Sequence, residues 1–149
     1  MKNTLTLLTA VVLMVFATTP QANAQTFAKI DPQNVTIVRD SFGIPHIFGK
    51  TDAEVAYGLA WANAEDAFDM VENLVCIGRG YMGRKDGKDG AKADFFVHAI
   101  GARDIVQARY EKETSPEFKK YLNGFVQGLN AYAAAHPEQV SVPKAFPIT

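Results

Sequence analysis

The side chains that could carry chemistry are scattered along this sequence. His46, His98 and His136 lie far apart, and none shows the H-x-x-x-H spacing that places two metal ligands on one helical face. No G-x-S-x-G elbow is present to expose a nucleophilic serine. Ser41 and Ser115 instead suit a turn and a helix N-cap. Residue by residue, the sequence predicts no self-sufficient active site.

An acidic pair and a lone thiol are the remaining candidates. Glu65 and Asp66 are adjacent on a predicted helix, so their side chains point about 100° apart and we expect no carboxylate dyad. The alternative to a catalytic role for these acids is a structural ion pair, formed by Asp66 with an arginine or by Asp40 with Arg39. Cys76 is the only cysteine, which excludes an intrachain disulfide. It lies in an apolar run, so we expect a buried, inert thiol.

A glycine string near the middle of the chain resembles a dinucleotide fingerprint only formally. Residues 78–83 read G-x-G-x-x-G, but a helix is predicted before them where the motif needs a strand. Residues 84–90, RKDGKDG, are predicted to form a mobile, solvated loop, and their spacing does not fit an EF-hand. Nucleotide binding is therefore rejected.

The elements around these residues are more informative. Residues 35–48 alternate apolar and polar side chains around Asp40–Gly43 and predict a short hairpin. Thr51 and Glu54 fit a capping box, and apolar residues at spacings of three and four predict a helix from Asp52 to about Val75. Gly78 or Gly80 is predicted to stop this helix. On that helix the predicted core face is Ala56, Ala60, Ala64, Ala67, Val71, Leu74 and Val75, filled out by Phe68 and Met70, with Glu65, Asp69, Glu72 and Asn73 on the opposite side.

Two further helices are predicted downstream. Residues 94–113 are moderately helical. Residues 95–97 are assigned to the core, with a surface that faces a ligand as the alternative. Ser115 and Pro116 open another helix, in which Gly124 and Gly128 would admit a close neighbour. Residues 140–149 have the character of an unfinished segment, with Phe146 expected to be exposed.

Composition and the N-terminus predict an exported globular protein. The formal net charge of the chain is −1, which gives no general attraction to nucleic acid. Residues 1–24 have a basic start, an apolar stretch and an Ala-Asn-Ala end, which are typical of a cleaved secretory signal peptide. The apolar stretch is too short to span a bilayer, so we expect no membrane association after cleavage, and a periplasmic or secreted protein.

Three stretches, read together, resemble one family. They are similar, in order and spacing, to motifs of the penicillin acylase family. The stretches are residues 38–47 (VRDSFGIPHI), residues 58–72 (GLAWANAEDAFDMVE) followed by Gly78, and residues 115–132 (SPE and then GLNAY). The resemblance covers residues 34–149. Glu65 stands where Gln is usual and Ala67 where Arg is usual, which points to a divergent branch nearer the acyl-homoserine-lactone or lipopeptide acylases.

The resemblance implies an α+β fold, the N-terminal part of the α-chain of an αββα N-terminal-nucleophile hydrolase. Residues 25–149 would be mostly helical, with a short hairpin. Such enzymes are exported precursors that cut themselves into an α-chain and a β-chain. The N-terminal Ser of the β-chain attacks the amide of an N-acylated compound such as a β-lactam side chain, an acyl-homoserine lactone or a lipopeptide. The expected partners are the rest of the α-chain, the β-chain and a small acylated amine.

No catalytic role passes to any residue of this chain. The family-motif positions are expected to give structural or processing support: Arg39, Asp40, Gly43, Pro45, His46 and Asp66. No metal ligand is expected, and calcium in a longer protein would take ligands beyond Thr149. We expect this chain by itself to be inactive. The alternative hypothesis is a non-enzymatic, exported helical binding module.

Overall fold

A computed structural model describes residues 27–149 of the chain, so the predicted signal peptide, residues 1–24, lies outside the described residues. The described chain is mostly helical, with one two-stranded sheet. The strands are β1, Thr36–Arg39, and β2, Pro45–Phe48. The helices are α1, Asp52–Arg79; α2, Met82–Ala99; α3, Ala102–Glu113; and α4, Pro116–Ala135. Short 3-10 turns lie at Pro32–Asn34, Pro137–Gln139 and Pro143–Ala145.

The predicted hairpin is confirmed. β1 and β2 pair antiparallel, with Ile37 opposite Ile47 and Arg39 opposite Pro45. Gly43 takes φ +82° at the turn, a backbone conformation that favours glycine. The hairpin lies on α1 at Gly58, where an added Cβ would be 2.6 Å from the Ile47 side chain. The glycine therefore allows the sheet to sit directly against the helix.

The long helix α1 begins and ends as local chemistry dictates. The capping box is formed: Thr51 Oγ1 accepts from the Glu54 amide at 3.2 Å, and the Glu54 carboxylate accepts from the Thr51 amide at 2.9 Å. The helix extends past Val75 to Arg79 and stops at Gly80, one of the two glycines predicted to end it, which takes a left-handed conformation.

Helices α1 and α4 form the centre of the fold. Gly124 faces the backbone of Ala53, and Gly128 faces that of Tyr57, closely enough that an added Cβ would lie less than 3.0 Å from a carbonyl oxygen. This confirms the prediction that the two glycines admit a close neighbour. The core extends from this contact to Phe68 and Leu129, and a second apolar cluster surrounds Cys76. The thiol is fully buried, as predicted.

The predicted core face of α1 is wrong at Ala67, Met70 and Leu74, which are exposed. Phe68 is buried, and Val71 and Val75 pack against the core, as predicted. Six of the buried residues of α1 follow a strict i+4 row: Ala56, Ala60, Ala64, Phe68, Glu72 and Cys76. Such a row drifts by about 40° per step on an ideal helix, so a straight helix cannot bury all six on one side. Ala67 has non-helical backbone angles and breaks the helix between the two halves. Met70 and Leu74 are consequently about two-thirds exposed (65% and 64%).

The segment predicted as a loop is helical. Residues 84–90 belong to α2, in which Gly87, at φ +62°, interrupts the helical path. Asp94 stabilises the start of α2 because its carboxylate accepts from the Met82 and Gly83 amides at 2.9 and 2.8 Å. Phe95 and Phe96 are exposed on this helix, so their assignment to the core is also wrong.

No helix in the part of the chain that the structure covers combines the length and apolar character needed to cross a bilayer.

Candidate functional site

The hairpin turn is organised by the carboxylate of Asp40. Its Oδ1 accepts from the amides of Phe42 and Ile44 at 2.9 and 3.0 Å, and its Oδ2 lies 3.4 Å from His46 Nε2. The Ile44 hydrogen bond lowers the pKa of Asp40 most strongly; the Phe42 amide and His46 act in the same direction and outweigh the opposing effect of burial. Asp40 is therefore held as an anion that shapes the turn.

Arg39 joins this turn to helix α1. Its Nη1 donates to the Gly43 carbonyl at 2.8 Å, and its Nη2 lies 2.7 Å from both Glu65 and Asp66. The Glu65 and Asp66 hydrogen bonds raise the pKa of Arg39. Although neighbouring helical side chains diverge, both carboxylates reach one guanidinium. The sequence did not predict that Glu65 also binds Arg39. The feature that could have indicated it is its position beside Asp66, directly before the break in the helix at Ala67.

These contacts, together with the pairing of Arg39 and Pro45 across the hairpin, bring the six family-motif residues together, which separate sequence motifs do not reveal. We call them the hairpin–helix cluster: Arg39, Asp40, Gly43, Pro45, His46 and Asp66. The side chains of Arg39 and Asp66 are 31% and 53% exposed, so solvent and salt weaken their attraction. The arrangement joins two elements, and its charged groups are taken up by each other or by backbone amides.

A second polar group lies in the core, where the sequence predicted a solvated face. Glu72 has no exposed surface, so its assignment to the outer side of α1 is wrong. Its carboxylate accepts from Lys85 Nζ at 2.8 Å and from the Ser141 and Val142 amides at 2.9 Å each, and also from the Ser141 hydroxyl. Burial is possible because every lone-pair direction is used.

The electrostatics of this buried group do not favour nucleophilic catalysis. Burial tends to raise the pKa of Glu72, but hydrogen bonds from Lys85, Ser141 and the Val142 amide outweigh it and lower the pKa. Burial tends to lower the pKa of Lys85, but the hydrogen bond and the negative charge of Glu72 outweigh it and raise that pKa. A carboxylate with a lowered pKa is a weak base, and a protonated lysine cannot accept the Ser141 proton. The group holds three segments together instead.

A cleft of about 620 Å³ lies where the end of α1 meets α2 and α3. Its walls include Arg79, Phe95, His98 and Arg103, but none of its lining residues is a serine, threonine or cysteine. Among residues 27–149, no three His, Cys, Asp or Glu side chains are grouped so as to hold a metal ion. His46 lies in β2 and His98 in α2, whereas His136 directly follows α4.

The comparisons with known proteins place this chain in a family. The family model described as penicillin amidase matches residues 34–149. The chain belongs to the penicillin amidase family. This confirms the resemblance inferred from the three motifs, and the match begins just before the hairpin that carries the most specific of them.

Similar curated proteins are acylases of two kinds. Penicillin G acylase of Escherichia coli is 29% identical over 122 residues, covering 80% of this chain and 14% of that protein. The acyl-homoserine lactone acylase QuiP of Pseudomonas fluorescens is 26% identical over 100 residues, covering 67% of this chain and 12% of that protein. The chain thus spans less than a sixth of the length of these relatives.

A solved structure resembles the fold. The thermostable penicillin G acylase from Alcaligenes faecalis matches with a TM-score of 0.60 and 24% identity, over 76% of this chain and 58% of that one. At this identity the likeness concerns the fold alone. It agrees with a mostly helical chain that carries a short antiparallel hairpin.

Proposed function

We propose that this chain is the front of the α-chain of an exported amidohydrolase precursor. The complete protein would cleave the amide bond of an N-acylated compound, such as a β-lactam side chain, an acyl-homoserine lactone or a lipopeptide. The observation that carries the proposal is the family match over residues 34–149. One relative, of Pseudomonas sp., is named as a penicillin acylase 2 proenzyme, which supports the idea of a processed precursor.

The proposed chemistry takes place outside this chain. In the proposed mechanism the N-terminal Ser of a β-chain attacks the amide carbonyl, and its own α-amine accepts the hydroxyl proton. The acyl-enzyme then forms with expulsion of the amine, and water releases the acid. An oxyanion hole of the β-chain would stabilise the charge that develops on the carbonyl oxygen. The fold of the complete protein would be the αββα N-terminal-nucleophile sandwich.

The role of residues 27–149 in this proposal is to build a rigid frame. The hairpin–helix cluster fixes the sheet on α1, and glycine contacts fix α1 on α4. The carboxylates of this frame are occupied by Arg39, by Lys85 or by backbone amides, which leaves none of these groups as a ready catalytic base. The six residues of the hairpin–helix cluster are accordingly proposed to support structure or processing.

A helical binding module is the second candidate, and one observation favours it. Phe95 and Phe96 are 73% and 64% exposed on α2, and Val106 is 59% exposed on α3. Exposed apolar side chains grouped on two adjacent helices are typical of a surface that contacts another protein. In an acylase precursor the later chain would cover this surface, whereas a binding module would use it for a separate partner.

The reading frame downstream of Thr149 separates the two candidates. An acylase precursor requires several hundred further codons, including a Gly-Ser junction suited to autocleavage. The gene product expressed from that frame should release two chains and hydrolyse an acyl amide. A stop codon directly after Thr149, together with no hydrolysis, would favour the binding module.

A further inference from the structure

The last ten residues, Val140–Thr149, form a strap across the two central helices. The strap has no strand partner and contains only one 3-10 turn, Pro143–Ala145. Its backbone groups are taken up largely by side chains. Three residues of the helices provide these contacts, Glu72 and Arg79 of α1 and Asn130 of α4, and we call them the clasps.

Each clasp binds backbone atoms of the strap. Glu72 accepts from the amides of Ser141 and Val142 at 2.9 Å each. Arg79 Nη1 donates to the carbonyls of Ala145 and Pro147, both at 2.9 Å. Asn130 mimics a strand neighbour, because its Nδ2 donates to the Ile148 carbonyl at 2.9 Å and its Oδ1 accepts from the Ile148 amide at 2.7 Å. The strap is thereby held at its start, middle and end.

The strap covers the part of the core that contains the only cysteine. Val142 and Ala145 are buried in the same apolar cluster as Cys76, whose exposed fraction is 0%. Phe146, predicted to be exposed, is half-buried and stacks on Phe68 with ring centroids 5.7 Å apart. Lifting the strap would remove Val142, Ala145 and Phe146 from the cover of the thiol, which Tyr81 and Met82 share, while the contact of α1 and α4 through Gly124 and Gly128 would stay in place.

We propose that the strap is a latch that opens as a unit, independently of the helix pair, and that the three clasps set how often it opens. Segments with few backbone hydrogen bonds of their own open locally at a lower free energy than the whole domain. The helix pair has the opposite character, since its contact runs along both helices through Gly124 and Gly128. Glu72 also binds Lys85, so the latch is linked to α2.

This proposal does not depend on the proposed acylase function. It concerns only the conformational freedom of the residues that the structure describes.

The thiol of Cys76 is a built-in reporter for the test. The chain is treated with a thiol reagent such as dithionitrobenzoate under native conditions, and the labelling rate is measured as a function of low urea concentration. When opening and closing are fast, this rate is proportional to the population of the open form. Asn130→Ala removes two hydrogen bonds to the strap and should speed labelling about tenfold or more. Arg79→Met should act in the same direction, while the far-ultraviolet circular dichroism is unchanged.

Helix α4 offers a matched control. Gln127 is also a side-chain amide that binds backbone, but it binds residues near the start of the described part of the chain, through the Ile30 amide at 2.9 Å and the Ala28 carbonyl at 3.0 Å. Gln127→Ala should leave the labelling rate of Cys76 unchanged. The milder variant Ser141→Ala, which keeps the backbone contacts, replaces Asn130→Ala if that variant fails to fold.

Two results would overturn the latch. One is a wild-type labelling rate with the same urea dependence as global unfolding, which would mean that the thiol is exposed only when the whole chain unfolds. The other is equal acceleration by Asn130→Ala and Gln127→Ala, which would indicate a general loss of stability.

Discussion

Replacing Gly128 by alanine tests the packing that we place at the centre of the fold. A Cβ at this position would lie less than 3.0 Å from the Tyr57 carbonyl oxygen and 2.9 Å from Ala60 Cβ. The first neighbour is backbone, so the clash can be relieved only by moving α1 and α4 apart. Overpacking of this kind costs about 3 kcal/mol at the upper end of its usual range.

An opposing effect has to be subtracted. Alanine favours the helical backbone over glycine by about 1 kcal/mol, so the net loss in the free energy of unfolding for Gly128→Ala is about 2 kcal/mol. For a chain of this length that loss lowers the melting temperature by about 4–8 °C. Urea unfolding followed by circular dichroism at 222 nm measures it directly.

Gly78 provides the matched control on α1. No atom lies within 4 Å of a Cβ added there, and the residue is inside the helix. Gly78→Ala should therefore raise the free energy of unfolding by up to about 1 kcal/mol. If Gly128→Ala were as stable as the wild type, or if both substitutions changed stability in the same direction, the proposed close contact of α1 with α4 would be refuted.

Three further predictions concern charge and association. Because the pKa of Glu72 is lowered in the native state, its contribution to stability is present above about pH 4.3, the ordinary pKa of glutamate, and is lost as the pH falls through the native pKa. In an acid titration, Glu72→Gln should therefore lose less stability with falling pH than the wild type does. Arg39→Ala should lower the unfolding midpoint slightly at low salt and hardly at all at 1 M NaCl, since its ion pairs are exposed; an equal loss at both salt concentrations would contradict this. Residues 25–149 alone should self-associate through exposed apolar side chains, and monodisperse sedimentation would argue against it.

The features that could be predicted from the sequence are those fixed by neighbouring residues. The hairpin depends on Asp40 and Gly43, and the start of α1 depends on Thr51 and Glu54, all of which act within a few positions. Ser115 likewise caps α4 by accepting from the Phe118 amide at 3.2 Å. Such local contacts have a recognisable spacing, so the corresponding predictions are confirmed.

The features that could not be predicted depend on distant partners. Glu72 looks like a surface residue because the groups that make its burial possible lie far along the chain. Lys85 is 13 positions away, and Ser141 of the strap is 69 positions away. The helical character of residues 84–90 was hidden by their glycines and charges, and it relies on Asp94 further along the chain. Which face of α1 is buried after Ala67 is likewise determined by packing against residues far along the chain.

The hairpin–helix cluster lies between these cases. Its motif residues could be named from the sequence, but their convergence required the fold, because Arg39 and Asp66 are separated by 27 positions. Their proposed role in structure or processing remains a prediction.

The most direct test of the central claim is an assay of amide hydrolysis. Purified residues 25–149 are incubated with phenylacetyl and long-chain acyl amides, beside the product of the uninterrupted downstream reading frame. We predict no turnover by residues 25–149 and measurable turnover by the longer, processed product. Turnover by residues 25–149 alone would contradict the claim that this chain builds the frame of an acylase without carrying its chemistry.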